Sequence, residues 1–148
     1  MVSWELFPND KLTLEGRHAS VMQGQIWKGS TLSIECQAGK APGTSIFRFT
    51  GPFTARDMFA SLSPDAMRNL FESESGETQT LAIFDLTRVP YMDSIGLGMM
   101  VSQHVRCKGK GIRMVAVGVN PRVLQLFKLT KLDTLIPMAA TVEEAEAQ

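Results

Sequence analysis

The stretch Leu81-Ala82-Ile83-Phe84-Asp85-Leu86, followed after Thr87-Arg88 by Val89-Pro90-Tyr91-Met92-Asp93-Ser94-Ile95-Gly96-Leu97-Gly98, decides the fold. Its first six residues are almost continuously apolar, the pattern of a strand buried on both faces. Pro90 ends the run, and Asp93 or Ser94 then stands where a short polar side chain can cap the unpaired N–H groups of a helix's first turn. A buried strand leading into a capped helix is the first half of a βαβ unit.

Downstream the pattern repeats. A helix over 94–108 is followed by a strand from Ile112 to Val117, and Asn120-Pro121 opens a second helix through Val123, Leu124, Phe127 and Leu129. A short strand is expected near Thr134 to Pro137, and Thr141-Val142-Glu143-Glu144 starts a last amphipathic turn or helix. Upstream, Thr31 to Cys36 alternates with period two, Gln37 to Gly43 carries the turn residues Gly39, Pro42 and Gly43, and Ser45 to Phe49 is a second strand. The two strands predict a hairpin. Gly51-Pro52 stops the chain, and Ser63-Pro64-Asp65 opens a helix whose apolar face is Met67, Leu70 and Phe71. Strands alternating with helices at this spacing predict an α/β fold, a mixed and mostly parallel β-sheet covered by α-helices.

Residues 1–30 read differently. Pro8, Gly16, Gly24 and Gly29 interrupt every apolar run, so no secure strand or helix is predicted there, yet Trp4, Leu6, Phe7 and Trp27 are too apolar for a purely disordered tail. They are read as an N-terminal extension, a leader or vector-derived segment with Met22 as an alternative start, and residues 31–148 as the folded domain.

The totals bound the function. A chain of 148 residues suits one domain, and its 15 basic residues balance 15 acidic ones, which leaves no excess charge to hold nucleic acid or a membrane surface. No apolar run approaches the roughly 20 residues of a membrane span, and Glu5 and Pro8 break any signal peptide. Cys36 and Cys107 form no metal-type pair, which fits a reduced, cytoplasmic setting.

The chemistry concentrates at Ser94. A phosphate there adds about −1.5 to −2 charges, and the first-turn N–H groups with the positive end of the helix dipole would accept it. Projected at 3.6 residues per turn, Leu97, Met100, Val101, His104 and Val105 gather on one side and are expected against the sheet. Ser94, Gly98 and Ser102 run along another side, bordered by Ile95, Met99 and Arg106. Small residues edged by apolar ones suit a protein partner, so Asp93, Ser94, Ile95, Gly98, Met99 and Ser102 form the candidate partner-binding set. The plainer alternative is that Asp93-Ser94 only caps the helix and that Gly96 and Gly98 serve packing.

No catalytic residue, cofactor or metal is expected. His104 lies ten residues from Ser94 on one helix, about 15 Å along its axis, out of reach for a nucleophile–base pair. Gly96-x-Gly98 lacks the third glycine and the downstream acid of a dinucleotide loop. Cys107, near Lys108 and Lys110, is either a thiol of lowered pKa or a structural cysteine at a helix end. Arg106, Lys108, Lys110 and Arg113 read as compensation of a helix C-terminus.

Residues 31–147 resemble a STAS domain, and specifically the anti-sigma-factor antagonists. The resemblance is carried by Leu81 to Leu86, Val89 and Tyr91 to Gly98, then by Lys110-Gly111-Ile112-Arg113-Met114-Val115 and Asn120-Pro121-Arg122-Val123. It implies a non-enzymatic switch: unphosphorylated, the antagonist binds an anti-sigma factor that is also a serine kinase and so releases a sigma factor. It also implies a PP2C-type phosphatase that reverses the mark. Ser94 matches the family's phosphorylated serine and Asp93 its preceding acid. The chain departs from the family pattern at Ile95, where a small polar residue is common, and at Gly51-Pro52-Phe53-Thr54, where the family's "GeLD" ends in an aspartate. Related domains also serve as subunits of transporter or lipid-trafficking complexes, where Ser94 would be a structural cap, and as stress-signalling scaffolds.

Overall fold

Strand β4 (Leu81–Arg88) runs through the interior of the sheet, as its apolar pattern requires: Leu81 to Phe84 and Leu86 are all buried. In the computed structural model of the protein the described residues are 24–28, 31–54, 56 and 78–148. They form one six-stranded sheet in the order β1 (Gly24–Lys28), β2 (Ser33–Ala38), β3 (Thr44–Thr50), β4, β5 (Arg113–Val117), β6 (Met138–Ala139). The β1–β2 and β2–β3 pairs are antiparallel, and the β3–β4, β4–β5 and β5–β6 pairs are parallel. The sheet is therefore mixed and mostly parallel, and the hairpin expected from 31–36 and 45–49 is formed by β2 and β3.

Three helices are described: α1 (Ser94–Gly109), α2 (Pro121–Leu129) and α3 (Val142–Ala147). Right-handed crossovers between strands laid down in one spatial order put their helices on one face. Accordingly α1 and α2 share a core with Phe47, Phe49, Phe84 and Leu86, to which they contribute Leu97, Met100, Val123 and Phe127. The aromatic rings interlock, with centroids 5.2 Å apart for Phe47–Phe84 and 4.9 Å for Phe49–Phe53. Burying one such side chain contributes roughly 2–3 kcal/mol. The opposite face holds Ile46, Leu81, Ile83, Val115 and Val117, against which α3 sets Ala145.

Among the strands the structure differs from the sequence pattern in two places. Strand β1 lies within residues 1–30, where no secure strand is predicted, because a register shift between Gln25 and Trp27 destroys the period-two signal. The short strand expected at 134–137 is displaced to β6. Residues Leu132–Thr134 form a 3₁₀ turn instead, since burial falls on Leu132 and Ile136 at helical spacing while Thr134 and Leu135 face solvent. The carbonyl of Pro137 accepts from Ala116 at 2.9 Å, and parallel pairing takes hold at Met138. The helix expected from Ser63 lies outside the described residues.

Candidate functional site

The parallel strands end at a common edge, and there the chain turns from β4 into α1. Two elements hold the turn. Phe53, fully buried, bridges to Met92; its N–H donates to the Tyr91 carbonyl at 3.0 Å, and the Asp93 N–H donates to the Phe53 carbonyl at 3.2 Å. From the other side the Asn120 amide donates to the carbonyls of Val89 at 2.9 Å and Pro90 at 3.2 Å. The Gly51–Thr54 segment is thus a direct neighbour of the helix start.

Of the two candidate caps, Asp93 is the one used. Its Oδ1 accepts from the N–H groups of Ile95 and Gly96, both at 3.0 Å, and its backbone carbonyl accepts from Leu97 at 2.9 Å. Ser94 is the first helical residue and is exposed. This division alters the expected phosphate chemistry. Two of the N–H groups that the sequence pattern offers to a phosphate are already taken by a carboxylate. A phosphate on Ser94 would feel the helix dipole but also repel Asp93, so it would project outward and change the surface more than the fold.

The orientation of α1 departs from the projected faces by a rotation of about 100°, one residue's worth of helix. The buried residues are Gly96, Leu97, Met99, Met100, Gln103 and Cys107. Val101 and Val105, expected in the core, are 38% and 62% exposed, whereas Met99, expected at the partner surface, is 7% exposed. Ile95 and His104 are half-buried. Ser94, Gly98 and Ser102 are exposed as expected, and the apolar border of their strip is Val101 and Val105.

Gly96 is what turns the helix. A Cβ on it would lie 2.2 Å from the Phe53 carbonyl oxygen, so only glycine lets α1 settle against that backbone. Among the described residues nothing lies within 4 Å of the corresponding point on Gly98. Gln103 occupies the buried face although polar, and its amide nitrogen has no hydrogen-bond partner among the described residues. A hydrophobicity projection cannot anticipate a buried glutamine or a glycine in backbone contact, and α1 carries apolar side chains on both faces, Met99 and Met100 on the buried one and Val101 and Val105 on the exposed one.

Burial pushes the Cys107 thiol up, against the opposing pull of Lys110 and Arg106. The lowered-pKa alternative therefore fails, because desolvation of the thiolate outweighs two nearby cations. Burial pushes Cys36 from 9.0 to about 12. Among the described residues no group of His, Cys, Asp and Glu could hold a metal ion, and no helix is long and apolar enough to cross a membrane. The Arg48–Asp85 pair, 3.3 Å apart, joins β3 to β4 on the face away from α1.

A STAS domain model matches residues 35–145. A protein of Listeria monocytogenes named an anti-sigma-B factor antagonist is 33% identical over 84 residues, covering 57% of this chain and 73% of that protein. Among solved structures, an anti-sigma factor antagonist from Mycobacterium paratuberculosis superposes with a TM-score of 0.60 at 18% identity, over 79% of this chain and 92% of that one. A sulfate transporter family protein from Wolinella succinogenes does so with a TM-score of 0.59 at 20% identity, over 71% of this chain and 83% of that one. At these identities the two structures speak for the fold alone.

Proposed function

The chain belongs to the STAS domain family, and from that premise we propose that it is an anti-sigma-factor antagonist, a non-enzymatic cytoplasmic switch controlled by phosphorylation of Ser94. Unphosphorylated, it binds an anti-sigma factor with serine-kinase activity through the exposed strip of α1, and a sigma factor is released. Phosphorylation of Ser94 by that kinase ends the binding, and a PP2C-type phosphatase restores it.

The observation that carries this reading is the separation of cap from acceptor. Asp93 makes the capping bonds, while the exposed Ser94 heads a strip containing Gly98, Val101, Ser102 and Val105. The hydroxyl can be modified without removing a bond on which the helix start depends. A doubly charged group at the edge of a docking face must be desolvated when the partner arrives, which weakens association. Asp93 adds a like charge beside it.

The test is to incubate the protein with the anti-sigma kinase and ATP and to map the product by mass spectrometry. A single phosphate on Ser94 is expected, and a Ser94→Ala protein should take none. Phosphate on another residue, with Ser94 unmodified, overturns the proposal.

A further inference from the structure

Ser94 follows a segment that is gripped by the next helix. The side chain of Asn120, immediately before α2, works in two directions. Its Oδ1 accepts from the Val123 N–H at 2.8 Å and caps α2, while its Nδ2 donates to the carbonyls of Val89 at 2.9 Å and Pro90 at 3.2 Å. Capping alone does not call for asparagine, since aspartate and serine cap about as well. Among these short side chains only the amide offers a carbonyl oxygen to the cap and an NH₂ group to two carbonyls at once. Two residues on, the Arg122 guanidinium lies 5.0 Å from the centroid of the Tyr91 ring. The start of α2 therefore holds Val89, Pro90 and Tyr91, opposite the hold that Phe53 exerts on Tyr91 and Asp93.

We infer that Asn120 is a positioning residue for the Ser94 switch, tying α2 to the Val89–Pro90 carbonyls so that the serine is presented in one geometry. The inference rests on the reading of Ser94 as the phosphate acceptor and deepens it. Phosphoryl transfer depends on in-line placement of the attacking hydroxyl, and a misplacement of about 1 Å costs up to roughly 100-fold in rate. A side chain remote from the hydroxyl can thus control its reaction.

Asn120→Asp and Asn120→Ser preserve the cap and remove the paired amide donors; the aspartate also sets a carboxylate against two carbonyl oxygens. Hydrogen exchange on the full chain reads the tie without any partner. The amides of Phe53, Asp93, Ile95 and Gly96 are expected to exchange at least about tenfold faster in both variants, with Ile83 and Val115 in the sheet within about twofold of wild type. With the anti-sigma kinase and ATP, kcat for Ser94 should fall about tenfold while KM stays within about threefold. Val123→Ala, which thins the packing of α2 and leaves Asn120 in place, should keep the wild-type kcat, separating placement from stability. Unchanged exchange at the four amides, or a wild-type kcat in both Asn120 variants, overturns the positioning role alone. A wild-type chain that takes no phosphate on Ser94 overturns the proposed function, and the positioning role with it.

Discussion

The buried and exposed faces of α1 are made of similar residues and answer to different constraints. Each face has a glycine and at least two apolar side chains. On the buried face Gly96 meets the Phe53 backbone at a distance that excludes any Cβ, and Leu97, Met99 and Met100 fill the core. On the exposed face Gly98 meets nothing within 4 Å among the described residues, and Val101 and Val105 face solvent. Glycine inside a helix costs about 1 kcal/mol relative to alanine. At Gly96 the fold requires that cost, whereas at Gly98 packing among the described residues does not.

Substitutions on the two faces should therefore part company. The largest effect is expected at Gly96→Ala, where the new methyl must displace the Phe53 carbonyl; overpacking of this kind costs about 1–3 kcal/mol, read as a drop in the urea midpoint. A midpoint equal to wild type would mean that α1 does not sit against that backbone. Asp93→Ala follows, losing both capping bonds for about 0.5–2 kcal/mol, with exchange of the Ile95 and Gly96 amides accelerated. Gly98→Ala should act in the other direction, stabilising the chain by about 0.5–1 kcal/mol while weakening kinase binding by several-fold in a calorimetric titration. An alanine that stabilises and leaves binding intact would remove the exposed face from the interface.

Thiol chemistry sharpens the comparison without perturbing stability. Cys107 lies on the buried face with its pKa raised by burial, and Cys36 is pushed up to about 12, so neither presents appreciable thiolate at pH 8 in the folded protein. Iodoacetamide should spare both until the chain unfolds, whereas a Ser102→Cys protein should take one label quickly. The sign for stability follows from linkage. A thiol harder to ionise in the folded state contributes fully below the unfolded pKa of 9.0 and is lost as pH rises toward about 12. The Cys36 contribution to stability should accordingly fall above pH 9.0 by at most about 1.4 kcal/mol per pH unit. A Cys36→Ala protein should show a shallower decline.

The legibility of the sequence follows the same division. Strand β4 was readable because both of its faces are buried, and the starts of α1, α2 and α3 because Asp93, Asn120 and Thr141 supply a side-chain cap. Strand β1 was hidden by its bulge, and β6 is too short to carry a period. The rotation of α1 was not legible because it is set by a backbone contact at Gly96, which leaves no mark in a hydrophobic pattern, and because Gln103 is buried against its polarity. Ser94, Gly98 and Ser102 lie on the exposed strip, as the projection predicts, whereas Val101 and Val105 are exposed and Met99 is buried, the reverse of what it predicts. The grip of Asn120 on Val89 and Pro90 joins positions some 30 residues apart, and no local spacing reports it.

The central claim is that the exposed face of α1 docks the anti-sigma kinase and that a charge at Ser94 prevents it. The most direct measurement is the Kd of the kinase for the wild-type chain, the chain phosphorylated on Ser94, and Ser94→Ala. Ser94→Ala should bind within about threefold of wild type and the phosphorylated chain about 100-fold more weakly, a difference of about 2.7 kcal/mol. Equal affinity of the phosphorylated and unmodified chains would contradict that claim.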